Sequence, residues 1–188
     1  MDAGHGGFDP GKVGQAGTNE KDINLSIALK VKRNLEHQDI TVIMTRDDDR
    51  GLYEENSSSK KQDDMRARAK IINESGAVLG VSIHQNSFTD NRYSGAQVFY
   101  YDGSDNGERL AKILQQSFLD YVDSSNQRAA KANSDYYLLR KSEIPMVIAE
   151  CGFLSNANEE ALLADDVYQE KIAWAIHMGI LNYLSEID

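Results

Sequence analysis

Cysteine and proline are scarce in this 188-residue sequence, which has one cysteine, Cys151, and two prolines. One cysteine excludes an intrachain disulfide and a metal site built from several thiolates, so any bound metal must be held by histidine and carboxylate side chains. No tract rich in glycine, serine or proline marks a linker or a disordered tail. With 40% hydrophobic residues, the chain can bury one sizeable core. We therefore predict a single domain over residues 1–188.

Clusters of positive charge are also missing, and this excludes one class of partner. The formal net charge is −10, and lysine and arginine form no stripe along the sequence. Nonspecific affinity for nucleic acid comes largely from such clusters, so we expect no nucleic-acid partner. The apolar runs reach only strand length, and neither a signal peptide nor a transmembrane segment is visible.

Helical and strand-like segments alternate along the chain. Apolar residues at helical spacing predict helices, and short apolar or β-branched runs predict strands. The predicted helices cover 20–35, a segment that begins at Asp63 or Asp64 and stops at Gly76, 107–121, and a closing segment with Trp174. The predicted strands cover 40–44, 77–83, 96–101 and 146–149, with loops at 51–61 and 124–134. Such alternation is typical of an α/β fold.

The first residues indicate a strand that is already under way. Met1, Asp2 and Ala3 precede His5 as the last residues of a buried strand precede a loop, which is not a natural start for a domain. We therefore expect that the chain lacks its natural N-terminus and part of the first strand.

Polar side chains follow three of these strands at the point where each strand ends. His84 comes directly after 78–83, Glu150 comes directly after 146–149, and His5 follows the short segment that ends at Ala3. Open α/β sheets bind ligands outside the carboxyl ends of their strands. We therefore expect His5, His84 and Glu150 to converge at one edge of the sheet.

Each candidate residue, taken alone, also has an ordinary structural explanation. Glu20 opens the first helix, where a carboxylate is favoured by the helix dipole. His5 lies among glycines that equally suit a turn. His84 is also explained as a hydrogen-bonded histidine at a sheet edge, and Glu150 as a buried acid paired with an arginine.

Taken together, His5, Glu20, His84 and Glu150 supply what a catalytic zinc site needs. Such a site has two imidazoles and a carboxylate as ligands, one open position and a separate carboxylate for proton transfer. Amide hydrolysis is the natural chemistry of that set. The residues are nevertheless scattered and match no compact metal-binding motif, so their spacing alone leaves the assignment open.

Four segments, in order, resemble the zinc-dependent N-acetylmuramoyl-L-alanine amidases, and the resemblance covers nearly the whole chain. They are Asp-Ala-Gly-His-Gly-Gly at 2–7, Asn-Glu at 19–20, Ser-Ile-His-Gln-Asn at 82–86 and Glu-Cys-Gly-Phe-Leu-Ser-Asn at 150–156. The resemblance implies that His5, Glu20 and His84 bind Zn²⁺ and that Glu150 is catalytic. It also implies a twisted, mostly parallel sheet of five or six strands, with helices on both faces.

Within that family, residues 92–100 and 137–140 are similar to the spore-cortex branch, which removes stem peptides from peptidoglycan before muramic δ-lactam forms. The resemblance implies a secreted or membrane-anchored enzyme that acts between the two membranes of a spore. Targeting or activation by an accessory protein is open. Asn86 is expected either to hydrogen-bond the substrate or to terminate its strand.

Two other functions stay open at this point. A zinc carboxypeptidase-like peptidase would use the same ligand types, but it should also place an arginine for a terminal carboxylate. A wall-binding module, inactive or active only with a partner, is the second. Cys151 is expected to be a small core residue and not a nucleophile, while Arg66 and Arg68 are expected on a helix surface or in salt bridges.

Overall fold

The computed structural model describes residues 1–187, in which five strands form one sheet. The strands are β1 (Asp2–Ala3), β2 (Gly80–Asn86), β3 (Gln97–Tyr100), β4 (Lys131–Ala132) and β5 (Met146–Phe153). The helices are α1 (Glu20–Glu36), α2 (Lys60–Glu74), α3 (Asp105–Tyr121), α4 (Tyr137–Lys141), α5 (Ala157–Leu163) and α6 (Asp166–Ile187). None of them is long and apolar enough to cross a membrane.

The sheet has the order β1-β2-β5-β3-β4, and three of its four pairings are parallel. The antiparallel pairing joins β3 to β5. This arrangement confirms the predicted α/β fold with a mostly parallel sheet. The expectation that the natural chain begins before Met1 stays a prediction.

Strand β5 lies near the middle of the sheet, is buried along its whole length and contacts both helical layers. Val147 and Ala149 belong to the core that α1, α3 and α6 share with one face of the sheet. Met146 and Ile148 point to the other face, where they pack with α2 and α4. Because successive side chains of β5 point to opposite faces, both faces of the sheet are covered by helices, as predicted. A site is therefore expected at an edge of the sheet and not on one of its faces.

The predicted strand at 40–44 is wrong, although the segment is extended beside β1. The amino group of Met1 donates to the Ile43 carbonyl at 2.7 Å, and the Thr45 N–H donates to the Met1 carbonyl at 3.0 Å. These bonds are one step of a parallel ladder and do not extend into a strand. The apolar content has another cause, because Ile40 and Val42 pack against the core.

Two local predictions also need correction. Helix α2 begins after Ser59, so the proposed caps Asp63 and Asp64 lie inside it. Asp63 accepts a hydrogen bond from the Ser57 hydroxyl at 2.5 Å, and Asp64 forms a salt bridge with Arg68 one turn later. The predicted end at Gly76 is confirmed, since Gly76 has φ +68° just past the last turn. Strand β4 lies within residues 124–134, which were predicted to be a loop. The sequence did not reveal this strand because two residues are too few to show an alternating pattern.

A buried ion pair between Arg68 of α2 and Asp2 of β1 holds the first strand in place. Arg68 and Asp2 are each 1% exposed, and Arg68 Nη1 lies 2.8 Å from Asp2 Oδ1. The guanidinium also donates to the carbonyls of Ala3 at 2.7 Å and His5 at 2.5 Å. Burial alone would raise the pKa of Asp2, but Arg68 and the Ser82 hydroxyl hold it well below its usual value. Arg68 is therefore a salt-bridge residue that holds the backbone leading into His5.

Candidate active site

The side chains of His5, Glu20 and His84 converge at the carboxyl ends of β1 and β2. Their ligand atoms all lie within 4.8 Å of one another. Glu20 is the centre of the group, because its Oε2 lies 3.2 Å from His5 Nε2 and its Oε1 lies 2.9 Å from His84 Nδ1. Two imidazoles and one carboxylate at these distances fit a single metal ion.

Local backbone geometry makes room for this convergence. His5 has φ 62°, a left-handed conformation that is rare outside glycine and is often found at functional sites. A Cβ at Gly4 would overlap the His84 ring, and a Cβ at Gly11 would lie 2.6 Å from both Glu20 Oε2 and His5 Cδ2. The glycines around His5 therefore allow close approach of the candidate ligands, beyond what an ordinary turn requires.

The Glu20 carboxylate is held as an anion at this position. Besides the two histidines it accepts backbone N–H bonds from Lys12 at 2.8 Å and Gln85 at 3.0 Å. Burial alone would raise the pKa of Glu20, but the hydrogen bonds from His5 and His84 bring it well below its usual value. Burial alone would lower the pKa of His84, but Glu20 raises it to about 8. Glu20 thus faces the histidines and does not serve as a helix cap.

Asp9 is a site residue that the sequence analysis missed. Its Oδ2 lies 2.9 Å from Nδ1 of His5, so it orients the imidazole and leaves Nε2 facing Glu20. Burial would raise the pKa of Asp9, but the bond to His5 lowers it. A carboxylate on the far nitrogen of a ligand histidine is common at metal sites. No pattern in the loop between β1 and α1 distinguishes Asp9 from an ordinary turn residue.

Glu150 lies directly opposite His84 in the β2–β5 pairing and is 6% exposed. Its Oε1 accepts a 3.3 Å hydrogen bond from the Tyr136 hydroxyl, and its Oε2 is buried without a hydrogen-bond partner. Burial is the main cause that raises the pKa of Glu150 to about 7. No arginine pairs with it within residues 1–187, so the explanation as a salt-bridged acid is wrong. Tyr136 was not foreseen.

The remaining candidates have simpler surroundings. Asn86 ends β2, and its Oδ1 accepts the Ser87 N–H at 2.7 Å, which agrees with a strand-terminating role. A contact between Asn86 and substrate stays a prediction. Cys151 is 1% exposed, and burial raises the pKa of its thiol far above its usual value. A buried thiol of this kind is a core side chain and not a nucleophile, as expected.

One cleft includes two of the candidate ligands, and a second cleft lies just beyond the ends of β2 and β5. The narrower one, about 110 Å³, includes His5 and His84 and is closed by Met65, Tyr136 and Leu138 from α2 and the α4 region. The wider one, about 310 Å³, is mainly polar. It is lined by Lys12, Val13, Gln15, Ser87, Phe88, Thr89, Asn91, Leu154 and Ser155.

A His-Glu-His cluster beside an unpaired buried carboxylate, at the strand ends of an α/β sheet, has the make-up of a metal-dependent hydrolase site. Comparison with known proteins identifies the family. The N-acetylmuramoyl-L-alanine amidase family model matches residues 1–182. The chain belongs to this family and is an enzyme that hydrolyses the amide between N-acetylmuramic acid and L-alanine in peptidoglycan.

Similar proteins agree with this assignment. The germination-specific N-acetylmuramoyl-L-alanine amidase of Bacillus subtilis (strain 168) is 39% identical over 99% of this chain and 79% of its own length. The CwlD amidase of Clostridioides difficile, solved in complex with the GerS lipoprotein, is 46% identical, with a TM-score of 0.96 over 100% of this chain and 97% of its own. An N-acetylmuramoyl-L-alanine amidase from Clostridium difficile 630 gives 32% identity and a TM-score of 0.88 over 100% of this chain and 96% of its own. The predicted similarity to the spore-cortex branch is confirmed.

Proposed function

We propose that His5, Glu20 and His84 hold one Zn²⁺ ion and that Glu150 is the catalytic carboxylate. The observation that carries the proposal is the convergence of three ligand side chains, of the types zinc prefers, within 4.8 Å. The family is generally zinc-dependent, which supports the choice of metal. The cluster contains no cysteine, and the single cysteine of the chain, Cys151, is buried outside it.

Glu150 carries out both proton transfers of the reaction. Zinc, when bound, polarises the scissile carbonyl and lowers the pKa of water toward neutrality. Glu150 Oε2 has no protein partner, so it is free to accept a proton from the attacking water. The same carboxyl then protonates the leaving L-alanine nitrogen as the carbon–nitrogen bond breaks, which releases a lactyl carboxylate and a free amine. A pKa near 7 suits a group that must accept and return a proton at neutral pH.

Tyr136 positions this carboxylate. Its hydroxyl holds Oε1 of Glu150, while its ring packs edge-on against Phe99 at a centroid distance of 5.5 Å. The carboxylate is thereby kept from rotating away from the metal side of the cleft. We also propose that Asn86, which ends β2, donates a hydrogen bond from its amide nitrogen to a substrate carbonyl, since its Oδ1 already accepts the Ser87 N–H.

The biological setting follows from the relatives. We propose that the enzyme removes stem peptides from spore-cortex peptidoglycan before muramic δ-lactam forms, in an extracytoplasmic space, as a secreted or membrane-anchored protein. The germination-specific relative from Bacillus subtilis supports this role. Because the CwlD amidase was solved with a lipoprotein, an accessory protein is also proposed for this chain.

A carboxypeptidase-like peptidase would need a free arginine near the site to bind a terminal carboxylate, and residues 1–187 do not provide one. The arginines beside the site are already engaged: Arg68 binds Asp2 and backbone carbonyls, and Arg46 binds the carbonyls of Ala3, Gly4 and Lys21. Neither arginine is left to bind a terminal carboxylate. The geometry therefore favours cleavage within a longer substrate over removal of a terminal residue.

Digestion of purified cortex peptidoglycan by wild type and Glu150→Gln, with and without zinc, tests the proposal. Mass spectrometry should find stem peptides with a free L-alanine amine only for the zinc-loaded wild type. Glu150→Gln should lose roughly 10²- to 10⁴-fold in rate while keeping its zinc. His84→Ala should lose the zinc itself, measured as metal per protein, and the exposed Glu74→Gln should behave as wild type.

Two results would overturn parts of the proposal. Full activity of Glu150→Gln would remove Glu150 from the chemistry. A zinc-loaded wild type that releases no peptide, even with an accessory lipoprotein added, would indicate a wall-binding module. Release that appears only with the lipoprotein would identify a partner-dependent enzyme.

A further inference from the structure

Phe88 and Tyr93 form an aromatic ledge at the border of the wider cleft. These two residues are 53% and 45% exposed. We propose that the ledge and the adjoining wider cleft bind a sugar ring of the peptidoglycan glycan strand. The inference rests on the proposed function and deepens it, because it names the side of the metal site that receives the glycan.

One residue, Lys12, links the wider cleft to the candidate metal site. Lys12 lines the cleft, and its backbone N–H binds the Glu20 carboxylate at 2.8 Å. Ser155 joins the other walls, because its hydroxyl accepts the Phe88 N–H at 3.0 Å and its carbonyl accepts the Gln15 side chain at 3.2 Å. These walls follow β1, β2 and β5, the strands that lead to the proposed catalytic groups. The ledge therefore lies just beyond the end of β2, the strand that carries His84.

The ledge is held in place from below. Phe88 meets Tyr93 edge to face at 4.7 Å, and Tyr93 stacks on the buried Phe153 at 6.2 Å with an angle of 30°. The Arg128 guanidinium lies 4.4 Å from the Phe153 ring and 5.6 Å from the Tyr93 ring. Neighbouring exposed aromatic rings supported in this way are typical of a preorganised binding surface.

The chemistry of the surface fits a sugar better than a stem peptide. A sugar ring has hydroxyl groups at its rim and flat C–H faces, whose partial positive charge is attracted to the negative face of an aromatic ring. Lys12 is the one charged side chain that lines the cleft, and the other polar groups there are uncharged. They are Gln15, Ser87, Thr89, Asn91 and Ser155.

Binding to peptide-free glycan strands tests the ledge directly. In the zinc-loaded Glu150→Gln background, titration calorimetry should show that Phe88→Ala weakens the affinity by roughly five- to tenfold. Phe88→Tyr, which keeps the aromatic face, should restore the affinity. Val167→Ala removes an apolar side chain on α6 that is even more exposed, at 75%, and should leave the affinity at its starting value.

Kinetics with Glu150 intact separate the ledge from the proposed function. Phe88→Ala should raise KM for cortex peptidoglycan by the same factor as it weakens binding, with kcat little changed. If the wild type cleaves but KM is equal in wild type and Phe88→Ala, the ledge is refuted while the amidase mechanism stands. If the wild type fails to cleave even with an accessory lipoprotein added, the proposed function fails, and the calorimetry with peptide-free glycan alone decides the ledge. Loss of affinity for an accessory lipoprotein, with glycan affinity intact, would also overturn the ledge and assign it to a protein contact.

Discussion

Replacing Arg68 by alanine removes the counter-charge of the buried Asp2 carboxylate. The change deletes the bonds from the guanidinium to Asp2, to Asp64 and to the carbonyls of Ala3 and His5. In the wild type Asp2 is 1% exposed, and without Arg68 its carboxylate keeps only the Thr45 and Ser82 hydroxyls as side-chain partners. We therefore expect a large loss of stability and a looser backbone at His5.

The size of the loss follows from the burial of both partners. Removing one member of a buried ion pair typically costs about 3–5 kcal/mol, since the remaining charge stays uncompensated. That is a large part of a total stability of about 5–15 kcal/mol. Arg66, two residues earlier on the same helix, provides the matched control. Its side chain is 66% exposed and pairs with Asp63 only at 3.5 Å, so Arg66→Ala should change stability by less than about 0.5 kcal/mol.

Urea unfolding followed by circular dichroism measures both variants, and pH separates the electrostatic cause from simple loss of packing. In the wild type the pKa of Asp2 lies below its usual value, so its contribution is present above that value and is lost as the pH falls. Without Arg68, burial should raise the pKa of Asp2 above its usual value, and protonation should relieve the unpaired charge. The deficit of Arg68→Ala should therefore shrink between about pH 7 and about pH 4. A deficit no larger than that of Arg66→Ala, or one independent of pH, would refute the reasoning.

His84 and Glu150 could be predicted as neighbours because each is the polar residue that ends an apolar run, and such runs become adjacent parallel strands. The strands continue past both residues, however, since β2 ends at Asn86 and β5 at Phe153, so the two side chains lie within the ladder and not after it. The resemblance to the amidases added the roles that spacing alone had left open. Glu20 needed that addition most, because its position at a helix start has an equally good local explanation.

Contacts between loops were beyond sequence reasoning. Asp9 meets His5, and Tyr136 meets Glu150, through irregular segments that have no period from which a neighbour can be inferred. The strand predicted at 40–44 failed for a related reason: an apolar run reports burial, but not how far backbone hydrogen bonds to a neighbouring strand continue. Burial of Arg68 was equally invisible, since a helix position alone does not reveal that its guanidinium reaches Asp2 across the sheet edge.

Two further predictions concern the geometry of the site. Gly11→Ala should lower the amount of zinc bound per protein, whereas Gly17→Ala should not. Both glycines have a positive φ, but a Cβ at Gly11 would contact two proposed ligands, Glu20 and His5, while a Cβ at Gly17 would contact nothing within 4 Å. Equal zinc contents would show that crowding at Gly11 is harmless. Tyr136→Phe removes only the hydroxyl that holds Glu150 at 3.3 Å, so zinc content and KM should stay the same while kcat falls about tenfold, the lower end for a hydrogen bond to a charged group. Steady-state kinetics on a soluble muropeptide checks this, and a kcat within about twofold of wild type would show that Glu150 is oriented without Tyr136.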